Sequence, residues 1–308
     1  MSSPFGPMLV VANPAAGRGR GAVLPRLRAA LAERGLEHSV AITRGRGHAT
    51  ALARAAVEED GLRYVVAVGG DGTVHEVLNG LVDPATGPRA EGLVLGAVAA
   101  GSGSDFVRTF GLDRSPERLA RHLDGDALYP IDVGRVRLTD RRGQPRAVCF
   151  ANIAEAGYGG IVVDRANRLP RFLGRSRYLV GIVAAIRRFE LRDVRVTLDH
   201  TEVAARYSNV VVANCQFFGG NMKVAPRALP DDGRFNVQLF RGSPKDVFLL
   251  TPRLRRGEHL PHPQIQEYQS SRVEVTADVP LLVEADGEVL GTTAAIFDLL
   301  PRAIALKI

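Results

Sequence analysis

The run Val65-Val66-Ala67-Val68-Gly69-Gly70-Asp71-Gly72-Thr73-Val74-His75-Glu76-Val77 constrains this chain more than any other segment. Short, mostly β-branched apolar residues stop abruptly at Gly-Gly-Asp-Gly-Thr, and a helix-like spacing follows at once. The pattern predicts a strand, a tight glycine turn and a helix N-terminus. Glycines in such a turn permit positive φ and a close approach of backbone to a ligand. Free N–H groups and the positive end of the helix dipole then favour a phosphate. Asp71 is the odd member, because a carboxylate repels phosphate unless it manages a metal ion or a proton. An ordinary Gly-Asp-Gly turn is the competing explanation.

Strands and helices alternate from residue 8 to about residue 128. Met8–Ala12, Ser39–Ile42, Tyr64–Val68 and Leu93–Val98 read as strands. Helices are predicted over Leu24–Gly35, His48–Glu59, Thr73–Leu81, 105–110 and 115–124. That alternation implies an α/β domain with a doubly wound parallel sheet, whose ligands lie beyond the carboxyl ends of the strands. From Ile131 the pattern becomes strand-like runs at 131–136, 146–153, 193–198, 207–214, 234–240, 271–276 and 281–285. One clear helix interrupts them, around 177–189. A β-rich antiparallel second domain is predicted. The boundary falls near Tyr129-Pro130, giving domains 1–130 and 131–302, with Ala303–Ile308 a candidate closing strand for the first.

The 308 residues, 45% apolar, suffice for one large core or two moderate ones. No segment reaches the roughly 18 consecutive apolar residues of a membrane span; Tyr178–Ile186 is about half that length. Met1–Pro7 lacks a charged n-region and an apolar h-region, so no signal peptide is expected. Cys149 and Cys215 sit in apolar β-like runs without metal spacing and read as buried thiols, which points to a cytoplasmic protein. Arginine supplies nearly all of the positive charge behind a net +7. Such a surface attracts anionic lipid headgroups, nucleotide phosphates or nucleic acid, while an arginine-rich genome is the other explanation. Aromatics at 6%, with no basic interleaving, argue against nucleic acid.

Gly69-Gly70-Asp71-Gly72-Thr73 resembles the signature of the diacylglycerol kinase catalytic fold, which includes bacterial soluble lipid kinases and sphingosine kinases. NAD kinases and phosphofructokinases share the turn more distantly. Ala99-Ala100-Gly101-Ser102-Gly103-Ser104-Asp105-Phe106 is similar to the family's Gly-Thr-x-Asn-Asp-Phe run, keeping Gly101, Asp105 and Phe106. Ser102 preserves the usual hydroxyl and Ser104 loses an amide; alone, the segment reads as a strand–helix turn with Ser104 as N-cap. Asn13-Pro14 with Gly17 and Gly19 resembles the family's first loop, and Thr43 stands where the family has a nucleotide-contacting threonine. His75 replaces the asparagine usual in bacterial relatives and reads as a partly exposed helical histidine without a catalytic role.

Two further stretches fall in the second domain. Gly219–Phe235, with Asp231-Asp232-Gly233, resembles a long family stretch. Paired carboxylates among turn carbonyls suit a hard cation, and a hairpin turn suits the same residues. The resemblance implies a structural Mg²⁺ on Asp232 and the backbone of Leu229 and Arg234. Val283-Glu284-Ala285-Asp286-Gly287-Glu288 is by itself an acidic hairpin. In the family it faces the nucleotide turn across the inter-domain cleft and provides the catalytic carboxylates.

The resemblance implies ATP as phosphoryl donor, contacting Asn13, Thr43, Gly69, Gly70, Asp71, Gly72, Thr73, Gly101 and Ser102. Asp71 would organise a catalytic Mg²⁺, Glu288 would be the general base and Asp286 would hold the water or metal network. The rival assignment makes Asp71 the base. A carboxylate near pKa ~4 is a poor base for an alcohol, so burial between domains is expected to raise that of Glu288. The implied acceptor is a lipid alcohol such as diacylglycerol or a sphingoid base. Arg165, Arg168, Arg171, Arg175, Arg177, Arg187, Arg188 and Arg192 frame the apolar Tyr178–Ile186 and suit a peripheral protein on anionic lipid; a core-packed helix with solvated ends fits them too. A homodimer is left open. An NAD kinase shares the glycine turn, but its NAD-binding signature is not apparent. A non-catalytic lipid- or nucleotide-binding module is opposed by the presence of Asp71, Asp286 and Glu288.

Overall fold

The computed structural model describes residues 3–16, 23–100, 105–112, 116–169, 176–185 and 189–308. The chain divides into two compact units, Met1–Val133 with Pro301–Ile308, and Gly134–Leu300.

In the first unit, β1 (Met8–Ala12), α1 (Val23–Glu33), β2 (His38–Ile42), α2 (His48–Glu58), β3 (Tyr64–Gly69) and α3 (Asp71–Leu81) alternate in the predicted order. A two-residue pair, β4 (Val82–Asp83) and β5 (Gly87–Pro88), precedes β6 (Val94–Ala99), α4 (Asp105–Thr109) and α5 (Pro116–Asp124). The strands pair parallel in the order β2-β1-β3-β6, and Ala305 and Leu306 pair parallel with Val94 and Leu95. Every residue of β1, β3 and β6 is buried, the pattern of parallel strands covered on both faces. Leu27 and Leu31 of α1 and Leu123 of α5 pack with Met8, Val66 and Val94. Tyr64 is fully buried there, its hydroxyl donating to the Leu123 carbonyl at 3.1 Å.

Helices α2 and α3 are tied through one side chain. Glu76 accepts hydrogen bonds from the N–H groups of Gly47 (2.9 Å) and Ala49 (3.1 Å), and so caps α2 from the neighbouring helix. Gly80 lets the two helices approach: a Cβ there would lie 2.6 Å from both Ala53 Cβ and the Thr50 carbonyl oxygen.

The second unit begins within β7 (Leu128–Thr139) and runs through β8 (Pro145–Phe150), β9 (Ile153–Gly157), α6 (Tyr158–Arg168), α7 (Ser176–Ala185), β10 (Arg192–Thr197), β11 (Glu202–Tyr207) and β12 (Asn209–Ala213). It continues with β13 (Phe235–Phe240), α8 (Pro244–Arg256), β14 (Ile265–Ser270), β15 (Arg272–Ala277), β16 (Leu282–Ala285) and β17 (Glu288–Lys307), whose tail closes the parallel sheet of the first unit. One antiparallel layer runs β14-β13-β12-β9-β16-β17. From β17 the pairing turns through β15 and β10 to β11, also antiparallel. Alternate residues such as Ala154, Val210, Val212, Val237 and Val283 meet Val194, Val273 and Phe297 in one core, where Phe150 stacks on Phe235 at 5.6 Å. The opposite face of β9, β12 and β13 is covered by α6, α7 and α8.

The α/β and antiparallel β characters expected of the two parts are thus both present. Two helices were missing from the sequence reading. α6 hides its apolar spacing (Tyr158, Val162, Val163, Ala166) behind the Gly159-Gly160 pair, and α8 is interrupted by Pro252. α8 nevertheless carries a helix-start signal, a capping box in which Ser243 and Asp246 exchange hydrogen bonds. The run read as 146–153 is two strands, broken at Ala151-Asn152.

Gly80→Ala sets helix propensity against packing. Alanine gains about 1 kcal/mol in a helix interior, but overpacking against Ala53 and the Thr50 carbonyl costs about 1–3 kcal/mol. Chemical denaturation should show a net loss of stability; a gain would mean the α2–α3 contact yields easily.

Candidate functional sites

The register of the parallel sheet collects one group of sites. Ala12 is level with Ile42 and Val68, and Gly69 with Ala99, so the carboxyl ends of β1, β2, β3 and β6 open onto the same edge. Asn13, Thr43 and the Gly69–Thr73 turn follow those ends directly. The Asn13 N–H donates to the Val68 carbonyl and the Thr43 N–H to the Ala12 carbonyl. Asn13 Nδ2 donates to Thr73 Oγ1 at 3.2 Å, joining the first loop to the first turn of α3. Gly101 and Ser102, with Gly17, Gly19 and Ser104, lie outside the described residues.

Gly69 is needed for space, and none of the three glycines of the turn for positive φ. Gly70 is extended, with φ −100° and ψ −173°, and Gly69 and Gly72 are not among the positive-φ residues. A Cβ on Gly69 would run into Thr73, whereas one on Gly72 would point into open space. Asp71 begins α3, and its Oδ1 accepts the Phe106 N–H at 3.0 Å. It therefore fixes the start of α4, a structural duty that the sequence reading did not foresee. His75 is buried, at 8% exposure, rather than partly exposed.

In the second unit, Asp286 and Gly287 are the loop of the β16–β17 hairpin, flanked by the paired Ala285 and Glu288. Both loop residues have positive φ, 50° and 84°, as a type I′ turn requires. The Asp286 carboxylate turns inward. Its Oδ2 accepts from the Ala151 N–H at 2.9 Å, and its Oδ1 from Asn152 at 2.9 Å and Ile153 at 3.3 Å. The Asp286 N–H returns a bond to the Ile153 carbonyl. Asn167 of α6 donates to the Gly287 carbonyl at 2.9 Å. Glu288, the first residue of β17, is half-buried beside this turn.

A second acidic feature here escaped the sequence reading. Glu155 of β9 and Glu284 of β16 stand directly opposite each other on the helix-covered face, and both are buried. Glu155 accepts from Asn209 Nδ2 at 2.9 Å, while the Gly287 N–H donates to Glu284 Oε2 at 2.9 Å. Burial pushes the Glu155 carboxyl up to about 7, with the Asn209 hydrogen bond opposing. Burial first, and then the facing Glu155, raises Glu284 well above the usual carboxylate range, against the Gly287 hydrogen bond. A glutamate at an inward position of an apolar run is a visible signal, but ending the strand at residue 153 left Glu155 outside it.

Asp232 is exposed, and its Oδ1 accepts the Arg234 N–H at 2.9 Å; Leu229 is half exposed. No group of three or more His, Cys, Asp or Glu able to hold a metal occurs among the described residues. Cys149 and Cys215 are buried thiols outside any disulfide. Of the eight framing arginines, Arg171, Arg175, Arg187 and Arg188 lie outside the described residues, as does the Arg177 side chain. Arg168 pairs with Asp164 at 2.8 Å, and Arg192 pairs with Glu190. Among the described residues, no helix is long and apolar enough to cross a membrane.

Comparison with known proteins places the chain in a family. Residues 7–136 match the diacylglycerol kinase catalytic domain, and residues 152–308 match the YegS C-terminal NAD kinase beta sandwich-like domain. A diacylglycerol kinase of Mycobacterium tuberculosis (strain CDC 1551 / Oshkosh) is 29% identical over 241 residues, 77% of this chain and 74% of its own. One from Bacillus subtilis (strain 168) is 28% identical over 225 residues, 72% of this chain and 70% of its own. A crystal structure of a diacylglycerol kinase from Bacillus anthracis str. Sterne shares the fold with TM-score 0.70 and 19% identity, over 99% of this chain and 97% of that one. A further structure from that organism reaches TM-score 0.78 at 21% identity, over 99% and 98% of the two chains.

The Glu155–Glu284 pair gives stability a distinct pH dependence. Both carboxyls hold protons more tightly folded than unfolded, so their contribution is complete below the ordinary carboxylate range. It is lost as pH rises through about 7 for Glu155, and higher for Glu284. Denaturation midpoints should fall between about pH 5 and about pH 8, and Glu155→Gln should flatten that decline. Parallel pH profiles for the two proteins would show that the pair is not protonated as the fold requires.

Proposed function

Because the chain belongs to the diacylglycerol kinase catalytic-domain family, with a YegS-type C-terminal domain, we propose that it is an ATP-dependent lipid kinase. The observation that carries this reading is the gathering of Asn13, Thr43 and Gly69–Thr73 at one edge of the parallel sheet, around the N-terminus of α3. Such an edge offers helix N–H groups and small residues to a phosphate chain.

In the proposed reaction the γ-phosphorus–oxygen bond of ATP breaks as the lipid hydroxyl oxygen bonds to that phosphorus. The hydroxyl proton passes to Glu288, and ADP leaves with the electron pair of the broken bond. Asn13 and Thr43 bound the nucleotide, while Thr73 holds the first turn of α3 to Asn13. Asp286, with its carboxylate engaged by three backbone N–H groups, orients the turn that presents Glu288. The oxygen chemistry of Asp71 fits a hard cation, which would neutralise phosphate charge there. Asp232, with the carbonyls of Leu229 and Arg234, is likewise an all-oxygen donor set and would hold a structural Mg²⁺. The acceptor is a lipid alcohol, diacylglycerol or a sphingoid base.

Contact with a lipid surface is supported by α7. It buries Ile182 and Ala185 but exposes Val180 (43%) and Val183 (58%), one turn apart. The protein should sediment with phosphatidylglycerol vesicles in a salt-sensitive way, and the double change Val180→Asp, Val183→Asp should weaken that binding without changing ATP affinity. Unchanged vesicle binding would remove α7 from the contact.

The catalytic assignment is tested by transfer of labelled phosphate to extracted lipids, diacylglycerol and sphingosine. Asp71→Asn keeps an oxygen for the Phe106 N–H, so α4 should stay formed while turnover falls by about 10²-fold or more. Glu288→Gln should lower kcat by roughly 10²–10⁴-fold with ATP binding little changed, and should abolish the acidic limb of the kcat profile. Near-normal turnover with that limb intact would transfer the base role away from Glu288.

A further inference from the structure

The Asp286-Gly287 loop has more supports than a hairpin needs. In a two-residue loop the N–H and carbonyl of the second residue stand outside the strand ladder and are ordinarily met by water. Here both groups of Gly287 are taken by side chains from outside the loop. Its N–H donates to Glu284 Oε2 at 2.9 Å, and its carbonyl accepts from Asn167 Nδ2 at 2.9 Å. Glu284 belongs to β16, the strand that enters the loop, so its bond is local. Asn167 belongs to α6 and reaches the loop from 120 residues away in sequence.

The sequence of α6 places that amide. Gly160, Asp164 and Asn167 are spaced by four and then three residues, so they share one stripe of the helix. Gly160 sits on the backbone of β16: a Cβ there would lie 2.6 Å from the Leu282 carbonyl oxygen. Asp164 is held by Arg141 at 2.9 Å and by Arg168 at 2.8 Å. One end of the stripe therefore lies against the start of β16, and at the other the Asn167 amide meets the loop into which β16 leads. Asn167 is exposed, and asparagine is a poorer helix former than alanine, so neither burial nor propensity accounts for it at this position.

We propose that Asn167 is a positioning residue for phosphoryl transfer, which holds the Gly287 carbonyl and so fixes the carboxylate of Glu288 that takes the hydroxyl proton. For the role of Glu288 this rests on the kinase reading above. The Gly287 carbonyl belongs to the peptide whose nitrogen is that of Glu288. That peptide is planar, so a bond to its oxygen fixes the Glu288 Cα as well. Asp286 ties the loop to residues 151–153, and Asn167 ties the next peptide to α6. A base anchored to one element alone would keep a freedom to rock that the second bond removes. Rate is sensitive to such freedom, since a misplacement of about 1 Å can cost on the order of 10²-fold.

Amide exchange and a double-mutant cycle, both on the full chain, test this. Asn167 is exposed, so Asn167→Ala should fold, and its Gly287 N–H should exchange at least about tenfold faster than in wild type. With labelled ATP and diacylglycerol, kcat should fall by about tenfold or more at unchanged KM for ATP. Asn167→Asp keeps the shape but turns an oxygen toward the carbonyl, and should lose at least as much. In a Glu288→Gln background, Asn167→Ala should cost nothing further, because a residue that acts through the base has nothing left to position. A purely structural Asn167 would lose the same factor in both backgrounds. Unchanged exchange at Gly287, full activity in Asn167→Asp, or additive losses would each overturn the proposal. The exchange measurement needs no phosphoryl transfer. Faster exchange in Asn167→Ala, with no lipid phosphorylated by wild type, would sink the kinase reading and leave the hold on the loop standing.

Discussion

The hydrogen bonds between the Asp286 carboxylate and three consecutive backbone N–H groups organise the second unit. Residues 151–153 leave β8 and enter β9, and this carboxylate accepts the N–H group of each, so that none is buried without a partner. A carboxylate delivered by a type I′ turn satisfies all three. Charge-assisted bonds to backbone N–H are among the stronger hydrogen bonds in proteins, which helps to offset a non-glycine residue at φ 50°. This one contact sits where β8 gives way to β9 and ties that junction to the β16–β17 hairpin turn next to Glu288.

Acidic residues of the first unit have similar dual positions. Glu76 caps α2 and Asp71 fixes the start of α4, each reaching from α3 to the N-terminus of another helix. The glycine turn is therefore a structural hub as well as the proposed phosphate site. A carboxylate at a helix N-terminus is electrostatically favoured there, so the charge of Asp71 is not a cost that only chemistry could justify. Separating its two duties requires a substitution that keeps the oxygen and removes the charge, since alanine would remove both.

Much of this was legible from residue patterns, for identifiable reasons. Parallel strands buried on both faces leave uninterrupted apolar runs, and β1, β3 and β6 are such runs, each ending in turn residues. Of the antiparallel strands, β10, β12, β13, β15 and β16 were visible as runs, whereas β11, β14 and most of β17 were not read as strands. What escaped depended on partners distant in sequence. β8 ends at Phe150, and the next N–H, that of Ala151, goes to Asp286, 135 residues away, a pairing that no local preference records. α6 was obscured because its first turn carries two glycines. The carboxyl pair was invisible for the same reason as the strand break, because facing Glu155 with Glu284 requires the register of β9 against β16.

The glycines of α6 and the glutamate of β9 form one design. Glycine in a helix costs about 1 kcal/mol relative to alanine, and α6 accepts that cost in its first turn at Gly159. A Cβ at this position would strike the Glu155 carboxyl, so the small residue is what permits a long acidic side chain beneath the helix. The Gly159 N–H donates to Asn209, and Asn209 donates in turn to Glu155, so the helix start holds the carboxyl as well as making room for it. An apolar residue at 155 would pack against the same helix without desolvating a charge and would need none of these arrangements. The buried carboxyl is thus held from two sides, by the space that a helix glycine leaves and by the amide bridge of Asn209.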